Sequence, residues 1–259
     1  MKNNKYYFKY LFYIFLILSL LIITFSSLVN LYEKKSEILR FIKPIFGSSL
    51  STYNISKKDK YWAKQILKGG YILHFRHAER DKWIDVQMYD ALESDLHQNG
   101  KDESRYAENE YFDNAVCLNE RGKIQARAMG EHIKKIGLPI GLRVSSVSCR
   151  ARQTAELAFN GYDSLHRILV HVGPYNEISK KRILKLKEFY KNLPIIEGKN
   201  TIVSAHNGVI FCEIFKNSCG KYLSLEEGGF YIISKKNRNL YLEHEFHNYN
   251  HFNKIFYNR

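Results

Sequence analysis

The 259-residue sequence has no internal repeat, no cluster of His, Cys, Asp and Glu at metal-ligand spacing, and no arginine-rich helix or aromatic-basic run of the kind that grips RNA. These absences argue against a repeat architecture, a metal centre legible from spacing, and a nucleic-acid module. Acids are also scarce. There are 26 Asp and Glu against 40 Lys and Arg, a net charge of +14 with a pI near 9.4, a balance suited to anionic membranes or phosphorylated molecules. The deficit is uneven. Residues 81–117 hold ten of the acids and three of the bases, so the remainder carries 37 bases against 16 acids, or +21. The chain is a basic body with one acidic insert, which is either a solvated excursion or a lid beside a site.

Charge is missing altogether from residues 11–29. As a helix at about 1.5 Å per residue, 19 residues span roughly 28 Å, close to the hydrocarbon thickness of a bilayer. The run has no polar face and is longer than the apolar core of a signal peptide, and no Ala-x-Ala-like cleavage site follows it. It is expected to be an uncleaved single-pass anchor. Residues 1–10 form its tail and residues 30–57 a juxtamembrane linker, leaving residues 58–259 as the folded domain. Lys2, Lys5 and Lys9 precede the span and Lys34, Lys35, Arg40 and Lys43 follow it, so the positive-inside count does not decide orientation. The cost of translocating the basic tail places the amino end in the cytoplasm and the domain outside. Only four cysteines are present. Two readings stand for them: disulfides 117–149 and 212–219 in an oxidising compartment, or four buried thiols.

In the domain, residues 59–68 have helical spacing and stop at Gly69-Gly70. Residues 71–75 form an apolar, β-prone run ending in Arg76-His77-Ala78. Asn119 caps a helix whose apolar face runs through Ile124, Met129 and Ile133. Residues 142–147 read as a strand passing into a helix that continues to about Phe159, residues 167–172 as a third strand, and residues 178–193 as a basic helix with a solvated face. Residues 201–204 form a short strand before His206, residues 209–215 continue as helix, and residues 229–234 and 240–246 make a terminal hairpin. Strands and helices alternate, so the domain is α/β with a mostly parallel sheet, and its site belongs at the carboxyl ends of the strands.

Three of those ends carry Arg76-His77, Arg150 and His206, a cationic pocket suited to a tetrahedral dianion. Arg-His-Ala, then Leu-Asn-Glu-Arg-Gly, then Ser-Ser-x-x-x-Arg-Ala-Arg-Gln-Thr-Ala, then Ser-Ala-His-Asn-Gly, in this order, resembles the histidine phosphatase superfamily over roughly residues 71–246. The resemblance implies a three-layer α/β/α phosphoglycerate-mutase-like domain. It implies His77 as the nucleophile that becomes phosphorylated, Arg76, Arg150 and His206 as phosphoryl-binding groups, and neither cofactor nor metal. Glu177, in Pro174-Tyr175-Asn176-Glu177, is similar in placement to the proton donor of the mutase branch, a carboxyl of the acidic insert is the alternative donor, and Glu79 is expected to orient Arg76 or His77. Ala78 and Val147 stand where many members have glycine and proline, with little expected effect on the chemistry. The expected activity is a membrane-anchored phosphomonoesterase. By analogy with members that act on lipopolysaccharide-core phosphates, its substrate is a phosphorylated sugar, envelope glycan or other small phosphoester, with nucleic acid excluded. The alternatives are a non-catalytic phospho-ligand receptor and a phosphomutase. Should the acidic insert cover the pocket, substrates with a cation distal to the phosphate are favoured.

Overall fold

The computed structural model describes residues 54–81, 116–170, 180–217 and 223–257. The chain divides into two units, residues 1–54 and 55–259, and the described residues lie essentially in the second. Among the described residues, no helix is long and apolar enough to cross a membrane; the span expected at residues 11–29, most of the acidic insert and Glu177 lie outside them.

The first helix among the described residues, α1 (Lys57–Ile66), starts two residues earlier than its apolar spacing suggests, because Ser56 and Asp59 cap it reciprocally. The Ser56 hydroxyl accepts from the Asp59 amide, and the Asp59 carboxylate accepts from the Ser56 amide. Strand β1 (Ile72–Arg76) follows. Its alternation sends Leu73 and Phe75 to one face of the sheet and Ile72 and His74 to the other. After the insert come α2 (Glu120–Lys135), β2 (Ile140–Ser146), α3 (Cys149–Phe159) and β3 (Ser164–His166). The remainder is α4 (Lys180–Asn192), β4 (Asn200–Ala205), β5 (Phe230–Lys236), β6 (Asn239–Phe246) and α5 (Tyr249–Tyr257).

Among the described residues six strands form one sheet, ordered β3-β2-β4-β1-β5-β6. The first four are parallel, and the β5–β6 hairpin adds to β1 antiparallel. Both faces are covered, which is why the central strands read as nearly continuous apolar runs. On one face Leu73, Phe75, Ile202, Phe230 and Phe246 pack with residues of α1, α2, α3 and α5. Phe75 lies between Phe159 at 4.8 Å and Phe230 at 4.6 Å, and each such fully buried ring contributes about 2–3 kcal/mol. On the other face Ile72, Val144, Val203, Tyr231 and Ile233 pack with Leu186 and Tyr190 of α4.

Three local expectations are corrected. The strand placed at residues 167–172 lies earlier, at Ser164–His166, and Arg167–Leu169 is a 3-10 turn. The apolar stretch after His206 does not continue as helix. Only Cys212–Ile214 forms a 3-10 turn, while Val209, Ile210 and Ile214 are buried against the sheet. Helix α5 goes beyond the expected terminal hairpin, and its Tyr249 and Phe252 fill the core beside Phe246.

Candidate active site

Strand order brings the motifs together. β4 lies between β1 and β2, with Arg76 opposite Ala205 and Ser145 opposite Ser204. The chain therefore leaves the sheet at three neighbouring carboxyl ends carrying His77, His206 and the Ser146–Arg150 segment. The His77 amide still donates to the Ala205 carbonyl at 2.9 Å, so the two histidines emerge side by side. Their rings meet edge to face with centroids 5.2 Å apart.

His77 is 4% exposed, and its Nδ1 lies 2.7 Å from the Ala78 carbonyl oxygen. A carbonyl can only accept, so Nδ1 carries the proton and Nε2 keeps its lone pair. Burial lowers the pKa of His77 well below 6.5, and the charges of Arg150, Arg76 and Arg80 press in the same direction. The ring is neutral at neutral pH, with one nitrogen anchored and the other nucleophilic.

Arg76 is fixed from the far side of β1. Because β5 runs antiparallel to β1, the loop leading into β5 arrives at the edge where β1 ends. From that loop the Leu225 carbonyl accepts from Nη1 of Arg76, and the Glu227 carboxylate accepts from Nη2 at 2.8 Å. Burial lowers the pKa of Arg76, which Glu227 opposes. Glu227 carries no motif signal; the only sequence hint is its position ahead of Gly228-Gly229. Gly228, at φ +77°, donates its amide to both the Arg76 and His77 carbonyls.

Arg150 lies in the first turn of α3, 1% exposed, with Nη1 3.4 Å from the Val116 carbonyl. A disulfide joins Cys117 to Cys149, the residues next to Val116 and Arg150, with Cα atoms 4.8 Å apart. Of the two readings for these cysteines, the structure has the cystine. Cys212 is also disulfide-bonded, and residue 219 lies outside the described residues. Thr154, one turn after Arg150, accepts from the Ala78 amide at 2.9 Å and donates to the Arg150 carbonyl at 2.7 Å. Gln153 accepts from the Leu118 amide. The Arg-Ala-Arg-Gln-Thr motif thus ties α3 to both neighbouring loops.

His206 is held through Nε2 by Ser148 Oγ at 2.9 Å and Ser146 Oγ at 3.2 Å. Ser148 occupies the N-cap position of α3 but makes no capping bond, since its hydroxyl turns to His206. Beneath, the Nε2–H of His74 donates to the His206 carbonyl at 3.2 Å, and its Nδ1 accepts from the Tyr190 hydroxyl at 2.7 Å. Burial lowers the His74 pKa to about 4, so this ring too is a neutral strut.

Glu79 does not perform the orienting role expected of it. Its carboxylate turns to the start of α2, pairing with Arg121 at 3.2 Å and receiving Asn119 Nδ2 at 3.5 Å. Gly122 makes that approach possible: a Cβ there would stand 1.9 Å from the Glu79 carbonyl oxygen, and its amide donates to the Asn119 side chain that caps the helix. The Asn-Glu-Arg-Gly motif is a docking device between α2 and the loop after His77.

Two guanidiniums and two imidazoles come together from β1, β4 and α3, a cationic cluster with the charge and the donors to receive an anion. Residues 72–168 match the family model described as histidine phosphatase superfamily (branch 1). The match covers less than half of the chain and takes in Arg76, His77 and Arg150 but not His206. Among solved structures, the chain is similar to the protein histidine phosphatase SixA complexed with tungstate. They share 13% identity with a TM-score of 0.44 over 68% of this chain and 96% of that one. It is also similar to phosphoserine phosphatase in complex with 3-phosphoglyceric acid from Entamoeba histolytica, at 14% identity and a TM-score of 0.40 over 68% and 95%. No curated protein matches the chain.

Proposed function

We propose that this protein is a phosphomonoesterase that works through a phosphohistidine on His77. The observation that carries the proposal is the bond from His77 Nδ1 to the Ala78 carbonyl, which leaves Nε2 as a nucleophile amid Arg76, Arg150 and His206. Nε2 attacks the substrate phosphorus in line. The Nε2–P bond forms as the P–O bond to the leaving group breaks, and the leaving oxygen takes a proton from Glu177. Arg76, Arg150 and His206 hold the three equatorial oxygens, whose charge they stabilise throughout transfer. A water activated by the Glu177 carboxylate then attacks phosphorus, the P–N bond breaks, and orthophosphate leaves with His77 neutral again.

The substrate in this reading is a small phosphoester, a phosphorylated sugar or glycan. The domain is tethered by residues 11–29 and lies on the extracytoplasmic side of the membrane. The Cys117–Cys149 cystine, with Cys212 also oxidised, supports placement in an oxidising compartment. The uncharged run at residues 11–29 supports the tether.

The full-length protein, assayed with p-nitrophenyl phosphate and a panel of sugar phosphates, is expected to release orthophosphate. His77→Ala is expected to abolish release, and Glu177→Gln to slow esters with poor leaving groups while sparing p-nitrophenyl phosphate. Hydrolysis that survives His77→Ala would refute the mechanism.

A further inference from the structure

We propose that Glu227 and Asn207 are positioning residues that together hold the Arg76 guanidinium in the geometry that receives phosphate. The proposal deepens the phosphohistidine reading and rests on it for the identity of the bound group.

Arg76 has five N–H donors in a rigid plane. Two are engaged by the 225–229 loop, Nη1 by the Leu225 carbonyl and Nη2 by the Glu227 carboxylate. The other three have no protein partner among the described residues, although the side chain is only 18% exposed. A largely buried guanidinium with donors to spare, close enough for its charge to act on His77, is set to receive an anion there. Its orientation depends on how well the loop that grips its back is itself fixed.

Asn207 fixes that loop. Placed directly after His206, its side chain makes a two-way bond to Leu225, the amide nitrogen donating to the Leu225 carbonyl at 2.8 Å and the oxygen accepting from the Leu225 amide at 3.0 Å. The Leu225 carbonyl thus receives both Asn207 and Arg76, which places the guanidinium relative to the β4 strand end that supplies His206. Two further contacts hold the other end of the loop. Gln125 of α2 donates to the Glu227 carbonyl at 3.1 Å, and the Gly229 carbonyl accepts the Arg76 amide at 2.9 Å. The loop is thus tied to α2 by Gln125 and to the end of β4 by Asn207, and it grips the Arg76 guanidinium at the end of β1. Its Glu227 carboxylate is also the stronger of two counter-charges, with Glu226 the other, to a cation that feels the charge of Arg150.

The general acid-base and nucleophilic steps do not pass through either residue. Their effect is on how well the ground-state phosphate is received, so KM is expected to rise more than kcat falls. Loss of one charged hydrogen bond behind a binding group corresponds to about a tenfold loss of affinity.

Isothermal titration of the full-length protein with orthophosphate, together with steady-state kinetics on p-nitrophenyl phosphate, tests this. Glu227→Gln, which keeps the shape, and Asn207→Asp, which keeps size but removes the donor, are each expected to raise the orthophosphate Kd and the KM about tenfold, with kcat changing less than about threefold. In an Arg76→Ala background, either substitution is expected to add less than a twofold effect, because both act through the guanidinium. An unchanged Kd, or the same tenfold loss with Arg76 absent, would overturn the positioning role. A wild type that binds orthophosphate but hydrolyses no ester would overturn the proposed function alone, and the Kd series would still decide the role of the loop. A wild type that does not bind orthophosphate would overturn both.

Discussion

His77 donates from Nδ1 to the carbonyl of Ala78, its own neighbour in the chain, at 2.7 Å. The ring is locked by one residue of local backbone. The tautomer that exposes Nε2 therefore does not depend on a distant carboxylate. Burial and then Arg150 and Arg76 keep the ring uncharged well below the usual range. At pH 6 an ordinary histidine, with a pKa near 6.5, is mostly protonated. His77 is expected to remain neutral there, with Nδ1 protonated, as read from its ¹⁵N shifts. A protonated His77 at pH 6 would contradict the assignment of the nucleophile.

The strut at His74 makes stability depend on pH. Its folded pKa is about 4 against 6.5 when unfolded, so between these values the unfolded chain binds a proton that the folded chain refuses. Stability contributed by the neutral ring is complete above pH 6.5 and falls as pH drops through this window. By pH 4 the loss from His74 reaches about 3 kcal/mol. Chemical denaturation at pH 7 and pH 4 measures it, and His74→Gln is expected to shrink the difference between the two pH values.

Cutting the Cys117–Cys149 cystine is expected to weaken both fold and site. It spans a separation of 32 residues, and releasing a loop of that length costs about 3–4 kcal/mol of stability in the chain-entropy account. The adjacent Val116 carbonyl accepts from Arg150, so Cys117→Ser with Cys149→Ser should also weaken orthophosphate binding. Thermal denaturation and calorimetry of the paired variant, beside wild type with and without reductant, report the two effects separately.

Ser148 is at a helix start but serves His206. Replacing an N-cap serine by alanine ordinarily costs about 1 kcal/mol. Here the cap bond is absent, so Ser148→Ala should leave Tm nearly unchanged. With the second tether removed as well, Ser146→Ala/Ser148→Ala is expected to lower kcat/KM by about tenfold, since the ring loses both hydroxyl partners. A large fall in Tm with kcat/KM preserved would reverse the roles assigned to these serines.

Much of the site was legible because its residues stand where apolar strands stop. The run before Arg76, the helix cap at Asn119 and the alternation of elements are local features, written in spacings of two, three or four residues. Arg76, His77, Arg150 and His206 could be singled out on that basis. The role of Glu79 is not legible in the same way, because adjacency in sequence says nothing of which way a side chain leaves a turn. Its carboxylate goes to Arg121 and Asn119.

By itself the sequence determined that strands and helices alternate, that cationic groups sit at strand ends, and that acids are concentrated in one insert. These follow from side-chain periodicity and charge, which act within a few residues. Only the tertiary structure decided that β4 lies between β1 and β2, which sets His206 beside His77 and Arg150. It alone chose the cystine over two thiols, turned Ser148 from cap to strut, and brought Glu227 to Arg76 across 151 residues of chain. Strand pairing and burial select such contacts globally, through the packing of both sheet faces, and no local pattern encodes them.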